Sequence, residues 1–152
     1  MCDSPKDSDQ NTNDIEHLRG SGPAPGVIEI SDRYPSVKAF LNHHVSSEVR
    51  TWHDGVERRG DVFVFDPVRE IFAVGDPRDI DGSPHQKLAR AIGVEDFERV
   101  VGGTWTRGES GEVITTELSG HYGGNWARDP GVREQFVEFL ERRTGLSVRH
   151  FL

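Results

Sequence analysis

Seven histidines are spread along this 152-residue chain, and two of them stand where proton chemistry is easiest to arrange. His121 lies in "TTELSGHYGGNW" (115–126), where a strand-like run of Thr and Leu stops at Ser119 and Gly120, Gly123 and Gly124 surround the ring. An imidazole titrates near neutral pH and can act as acid or base with little adjustment. His85 lies in "DGSPHQKLARAIG", the second position of a short helix that Ser83 caps and Pro84 opens. The positive end of the helix dipole disfavours the imidazolium there, which suits a general base. Ser83 and the free amides of that first turn could receive a phosphate.

Two histidines and an assisting hydroxyl are one minimal apparatus for RNA cleavage. One ring removes the 2′-hydroxyl proton, the other protonates the leaving oxygen, and polar groups hold the phosphate. No metal or cofactor is required. His85, His121 and Tyr122 are the candidate catalytic residues, with Ser83, Ser119, Gly120, Trp126 and Arg133 as candidate substrate contacts. Thr115 and Thr116 point to opposite faces of a strand, and Arg107 or Arg133 could meet developing charge. Which histidine is acid and which is base stays open, as does the strand face that looks into the site.

The remaining histidines offer less. His43 and His44 are adjacent, so on a helix they diverge, and with His53 they do not make the i, i+4 pair that zinc prefers. His150 could reach the site from a neighbouring strand. No Rossmann, P-loop or nucleophile-elbow glycine pattern is present, and "GESGE" is a hairpin turn.

The elements that must position these residues can be read from pattern. "VIEI" (27–30) is a short strand, and "SVKAFLNHHV" places Val37, Phe40 and Leu41 on one face of a helix near 36–46. "EVRTWHDGVERRGD" forms a pair of strands or loops turning at Asp54-Gly55. "DVFVFDPVREIFAVG" holds two strands around Asp66-Pro67. A two-turn helix follows, closed by Gly93. "RVVGGTWTRGESGEVITTELSGHY" is a second hairpin. "RDPGVREQFVEFLERRTG" is a helix with Asp129 as cap, Pro130 in its first turn and a Val132, Phe136, Phe139, Leu140 stripe. "LSVRHFL" is a final strand. This order predicts an α+β domain, with about three helices on an antiparallel or mixed sheet.

Composition sets the outer limits. With 34% hydrophobic residues, the chain supports one domain with a real core. Residues 1–26 hold almost no large apolar side chains and read as a disordered leader, leaving 27–152 as the domain. The leader lacks the basic start and apolar run of a secretory signal, so a soluble, non-membrane protein is expected, cytoplasmic or delivered to a target-cell cytoplasm. Net charge is −8, of which the leader carries −3. That acidity opposes long-range attraction to nucleic acid without excluding a local basic rim. The lone Cys2 forms no internal disulfide.

The ordered set "DVFVFDPVREIFAVG", "SPHQKLA", "VVGGTWTRGESGEVITTELSGHYGGNW" and "VREQFVEFLERRTG", about residues 61–150, resembles a C-terminal toxin domain of bacterial polymorphic-toxin systems, the type 43 group. The resemblance implies a compact α+β toxin, a predicted ribonuclease acting on RNA and accompanied by an immunity protein. It carries over to His85, Ser119, Gly120, His121 and Tyr122, with Gly103 as the glycine of the preceding strand. Two departures stand out: Gln86 follows His85 where many relatives have a small hydroxyl residue, and "GGNWARDP" replaces a shorter, proline-closed continuation. Two other readings remain beside it: a non-catalytic binding or regulatory module in which S-G-H-Y is an architectural corner, and another enzyme acting on a nucleotide. Oligomeric state is not encoded in any pattern found.

Overall fold

A computed structural model describes residues 21–43, 50–53, 56–59 and 61–152 of the chain. His44 and the Asp54-Gly55 turn lie outside the described residues. The strands on either side of that turn, β2 (Arg50–His53) and β3 (Val56–Arg59), pair antiparallel with His53 opposite Val56.

The main sheet has six strands in the order β1-β5-β4-β6-β7-β8. β1 (Val27–Ile30) pairs with β5 (Ile71–Gly75), and β5 pairs with β4 (Asp61–Asp66). The β4–β5 turn is built as its Asp-Pro sequence implies: Asp66 Oδ1 accepts from the Val68 amide at 2.9 Å and Oδ2 accepts from Arg69 Nε at 2.9 Å. β6 (Val101–Arg107) joins β4 to β7 (Val113–Thr115), all antiparallel. β8 (Val148–His150) then runs parallel to β7, because a helix carries the chain back before it. The sheet is thus mixed, and the α+β expectation holds.

Strand alternation divides the core in two. Phe63, Phe65, Phe72, Val74, Val101 and Trp105 face α3 (Val132–Thr144) and α1 (Lys38–Asn42), whose Phe136, Phe139, Leu140 and Phe40 fill that layer. Phe63 and Phe136 stack with centroids 5.1 Å apart. Each such buried ring is worth about 2 to 3 kcal/mol. Val64, Ile71 and Ala73 face the opposite way, against Leu88 and Ala89 of α2 (Pro84–Ala91) and Ile92 at its C-cap. Gly93 follows α2 at φ 75°, the left-handed residue expected at its end.

Three expectations are adjusted. The first helix is shorter than 36–46, because His43 is extended (ψ 132°) and its Nε2 pairs with Asp61 at 3.1 Å. The ladder of β7 stops at Thr115 rather than running to Ser119, since Thr116 Oγ1 accepts from the Leu118 amide at 3.3 Å and turns the chain. α3 starts at Val132 with Gly131 in the cap position. Asp129 closes the turn before it, accepting from the Gly131 amide at 3.0 Å. Ahead of β1, residues 21–26 fold back on it as a turn, with the Ser21 carbonyl accepting from the Glu29 amide at 2.6 Å. Among the described residues no helix is long and apolar enough to cross a membrane.

Candidate functional site

The site forms where the start of α2 meets the loop after β7. Ser83 caps α2 in a reciprocal box: its Oγ accepts from the Gln86 amide at 3.5 Å, and Gln86 Oε1 accepts from the Ser83 amide at 3.0 Å. Gln86, the departure from the family pattern, therefore serves the cap. Pro84 occupies the first turn and turns His85 down onto the sheet, where it is only 8% exposed. There His85 Nε2 donates to the Gly103 carbonyl at 2.8 Å. A carbonyl only accepts, so this bond assigns the proton of the neutral ring to Nε2 and leaves the Nδ1 lone pair as the basic atom. Burial pushes the His85 pKa down; the Gly103 bond opposes this, and His121 lowers it further. The neutral bias expected from the helix dipole is present, with burial as its leading cause.

β6 accommodates His85 because Gly102 has no side chain. A Cβ at Gly102 would lie 2.9 Å from His85 Cδ2 and 3.2 Å from Ser119 Oγ. Gly103 points the other way, where a Cβ would run into the carbonyl of Thr116. The two strands are also joined on the His85 face by Thr104 and Thr116, whose hydroxyls are 2.6 Å apart.

Beyond Thr116, one tight turn lifts His121 to the surface. Ser119 Oγ accepts from the Tyr122 amide at 3.0 Å and the Ser119 carbonyl accepts from the Gly123 amide at 3.0 Å. His121 is exposed, and its Nδ1 lies 3.2 Å from Ser83 Oγ, so the cap of α2 is also the tether of the second histidine. The Tyr122 ring is buried with Val64, Leu88 and Val100, and burial raises its pKa while Arg90 pulls it down. The glycines contribute less freedom than their number suggests. Gly120 and Gly124 would meet nothing with an added Cβ, and neither has positive φ; only Gly123 is tight, 2.9 Å from the Glu117 carbonyl.

Ser83, His85, Gly103, Ser119, Gly120, His121 and Tyr122 are therefore gathered at one place. Trp126 and Arg133 are not. Trp126, in the 3-10 helix Gly123–Ala127, has crossed to the α3 face; it is fully buried and its Nε1 donates to the Gly102 carbonyl at 2.8 Å. A ring with no exposed surface offers no face to a base, and the 5.5 Å packing on Phe136 makes it an anchor for the loop. Arg133 is held by Glu117 through two bonds of 2.7 and 2.9 Å. Glu117 Oε2 also accepts from His150 Nε2 at 2.7 Å, and His150 Nδ1 lies 2.8 Å from Thr115 Oγ1. His150 thus braces the α3 side of the loop. Arg107 donates to the Gly111 carbonyl within its own hairpin. Sequence reasoning passed over Glu117, Thr104 and Arg90. Of these only Arg90 left a readable signal, since Ser83, Gln86 and Arg90 recur at helical spacing. Among the described residues no group of three or more His, Cys, Asp or Glu side chains is arranged to hold a metal ion.

The geometry defines a compact α+β domain with a neutral-biased histidine and an exposed one sharing a helix cap. The family model of Bacterial toxin 43 (Ntox43) matches residues 6–135, and the chain belongs to that family. It is a bacterial toxin-family domain. The matched span takes in both histidines and ends in the first turns of α3, ahead of His150. No curated protein and no solved structure gives a match to the chain.

Proposed function

We propose that this toxin-family domain cleaves RNA by a two-histidine mechanism that needs no metal. The observation that carries the reading is the shared cap: Ser83 holds His121 at 3.2 Å while the same helix turn presents His85, its proton committed to the Gly103 carbonyl. His85 Nδ1 takes the proton of a 2′-hydroxyl, whose oxygen attacks the adjacent phosphorus. The bond from phosphorus to the 5′-oxygen breaks, and protonated His121 supplies the proton that oxygen needs. A 2′,3′-cyclic phosphate and a free 5′-hydroxyl result. A lowered pKa on His85 supports its assignment as base, because it stays unprotonated at neutral pH. The exposed His121 exchanges protons with water between turnovers. In a producing cell such an activity calls for a cognate immunity protein, and delivery to a target-cell cytoplasm places the domain beside its substrate in interbacterial competition.

Cleavage of RNA by the purified chain in the presence of chelator tests this reading. His85→Ala and His121→Ala are each expected to lose about 10²-fold or more. An inactive wild type, or a His121→Ala variant as active as wild type, refutes it. One observation favours a second reading, a binding module: the Ser119 Oγ bond to the Tyr122 amide and the buried Tyr122 ring make S-G-H-Y a structural corner as well. Under that reading His121→Ala changes neither RNA cleavage nor any activity beyond the amount of folded protein.

A further inference from the structure

Most arginines among the described residues are matched to a carboxylate, as Arg133 is to Glu117 and Arg69 to Asp66. Arg90 is different. Its Nη1 donates to the backbone carbonyl of Asp81, and it makes no ion pair among the described residues. A carbonyl orients a guanidinium without neutralising it, so Arg90 keeps a full positive charge at an exposed position. Its direction is also set. Nη1 lies 3.1 Å from where a Cβ of Gly82 would stand, so the side chain folds back over the first turn of α2, next to the Ser83 cap that holds His121. Lys87, the other cationic residue of α2, is turned to Asp76 at 3.8 Å.

A second donor is carried by the residue after His121. The Tyr122 ring is buried 6.0 Å from the His121 ring, its hydroxyl makes no hydrogen bond among the described residues, and the Arg90 charge pulls its pKa down against the effect of burial. An uncompensated cation and an unpartnered hydroxyl beside a proton-transferring histidine make a place for an oxyanion. We propose that Arg90 and the Tyr122 hydroxyl form a phosphate subsite beside His121 that takes a non-bridging oxygen of a nucleic-acid phosphate. The proposal rests on the ribonuclease reading for its ligand class, and Arg90, which contacts the phosphate directly, sets substrate affinity.

The test uses the full chain, with inorganic phosphate and a ribonucleoside 3′-monophosphate as probes and the Arg90 Nε–Hε and histidine ring resonances as the readout. Saturable shifts at Arg90 are expected in the wild type. Arg90→Gln is expected to weaken binding about tenfold, Arg90→Lys to restore part of it, and Tyr122→Phe, which keeps the buried ring, to weaken it several-fold. Thermal melts confirm that each variant is folded. Equal affinity in Arg90→Gln, or no shift at Arg90 in the wild type, overturns the subsite. RNA cleavage separates the two proposals. A wild type that binds the 3′-monophosphate through Arg90 without cutting RNA sinks the ribonuclease reading and leaves the subsite standing. Cleavage with unchanged KM and kcat in Arg90→Gln does the reverse.

Discussion

Adjacent glycines on β6 should respond to the same substitution differently, one mainly in stability and the other mainly in activity, because strand alternation sends them to different faces. At Gly103 a methyl group would run into the Thr116 carbonyl and stand 3.0 Å from the Phe63 ring. Neither neighbour is a flexible chain end, so β6 and β7 must part. Overpacking of about 1 to 3 kcal/mol, with about 1 kcal/mol for the hydrogen bond from the Thr116 amide to the Thr104 carbonyl, puts Gly103→Ala at roughly 2 to 4 kcal/mol. The melting temperature should fall by about 10 °C. At Gly102 the added methyl meets the edge of the His85 ring at 2.9 Å, Ser119 Oγ at 3.2 Å and, less tightly, the Phe63 carbonyl at 3.3 Å. The two closest are side-chain atoms that can yield by a few tenths of an ångström, so Gly102→Ala should cost less, about 1 to 2 kcal/mol. That displacement loosens the 2.8 Å bond from His85 Nε2 to the Gly103 carbonyl and shifts the proposed base. Misplacement of a catalytic group on this scale lowers activity by as much as 10²-fold. Thermal melts, RNA cleavage and the His85 ring resonances of the two variants are the assay. A Gly103→Ala protein as stable as wild type, or a Gly102→Ala protein with unchanged His85 resonances, refutes the reasoning.

Stability should fall on acidification. His85 and His150 both have pKa values lowered below the usual 6.5, chiefly by burial. The unfolded chain therefore takes up protons at these sites first, and stability present above about pH 7.5 is lost as pH drops through the ordinary histidine range. Urea midpoints at pH 7.5 and 5.5 measure it, and His85→Gln should flatten the dependence; a midpoint that rises on acidification contradicts it. Glu117 extends the loss to lower pH: burial opposes its charge, but the bonds from Arg133 and His150 prevail and hold its pKa below the usual 4.5. Glu117→Ala leaves the His150 Nε2–H and the Arg133 guanidinium without their acceptor, at a cost of about 2 to 3 kcal/mol read from urea unfolding. Because Arg133 is one-third exposed, water recovers part of that loss, and a change below about 0.5 kcal/mol would show the brace to be idle.

Much of the fold was legible because local signals agreed with one another. The Ser83–Pro84 start and the Gly93 stop define α2 within the helix itself, since capping and left-handed termini are satisfied by neighbouring residues. The β4–β5 hairpin is equally local, set by Asp66 and Pro67. Alternation of Phe63 and Phe65 with Val62 and Val64 showed a strand, but with apolar residues on both sides it could not say which face each helix would cover.

The sequence by itself determined the two histidines as the titratable residues most ready for chemistry, and it determined the turn that carries one and the helix that carries the other. Only the tertiary structure decided that the cap of the helix carrying His85 also meets His121, because a contact spanning 38 residues depends on how α2 docks across β6 and not on any local propensity. The same docking separated residues that sequence proximity had grouped. Trp126 is five positions from His121, yet it passes to the opposite face and becomes core, since an indole of that size gains more from the Phe136 layer than from solvent. Arg133, expected to meet substrate charge, is matched to Glu117, while Arg90 makes no ion pair among the described residues. Which cation stays free depends on which carboxylates the folded chain brings near, a long-range property that spacing does not encode.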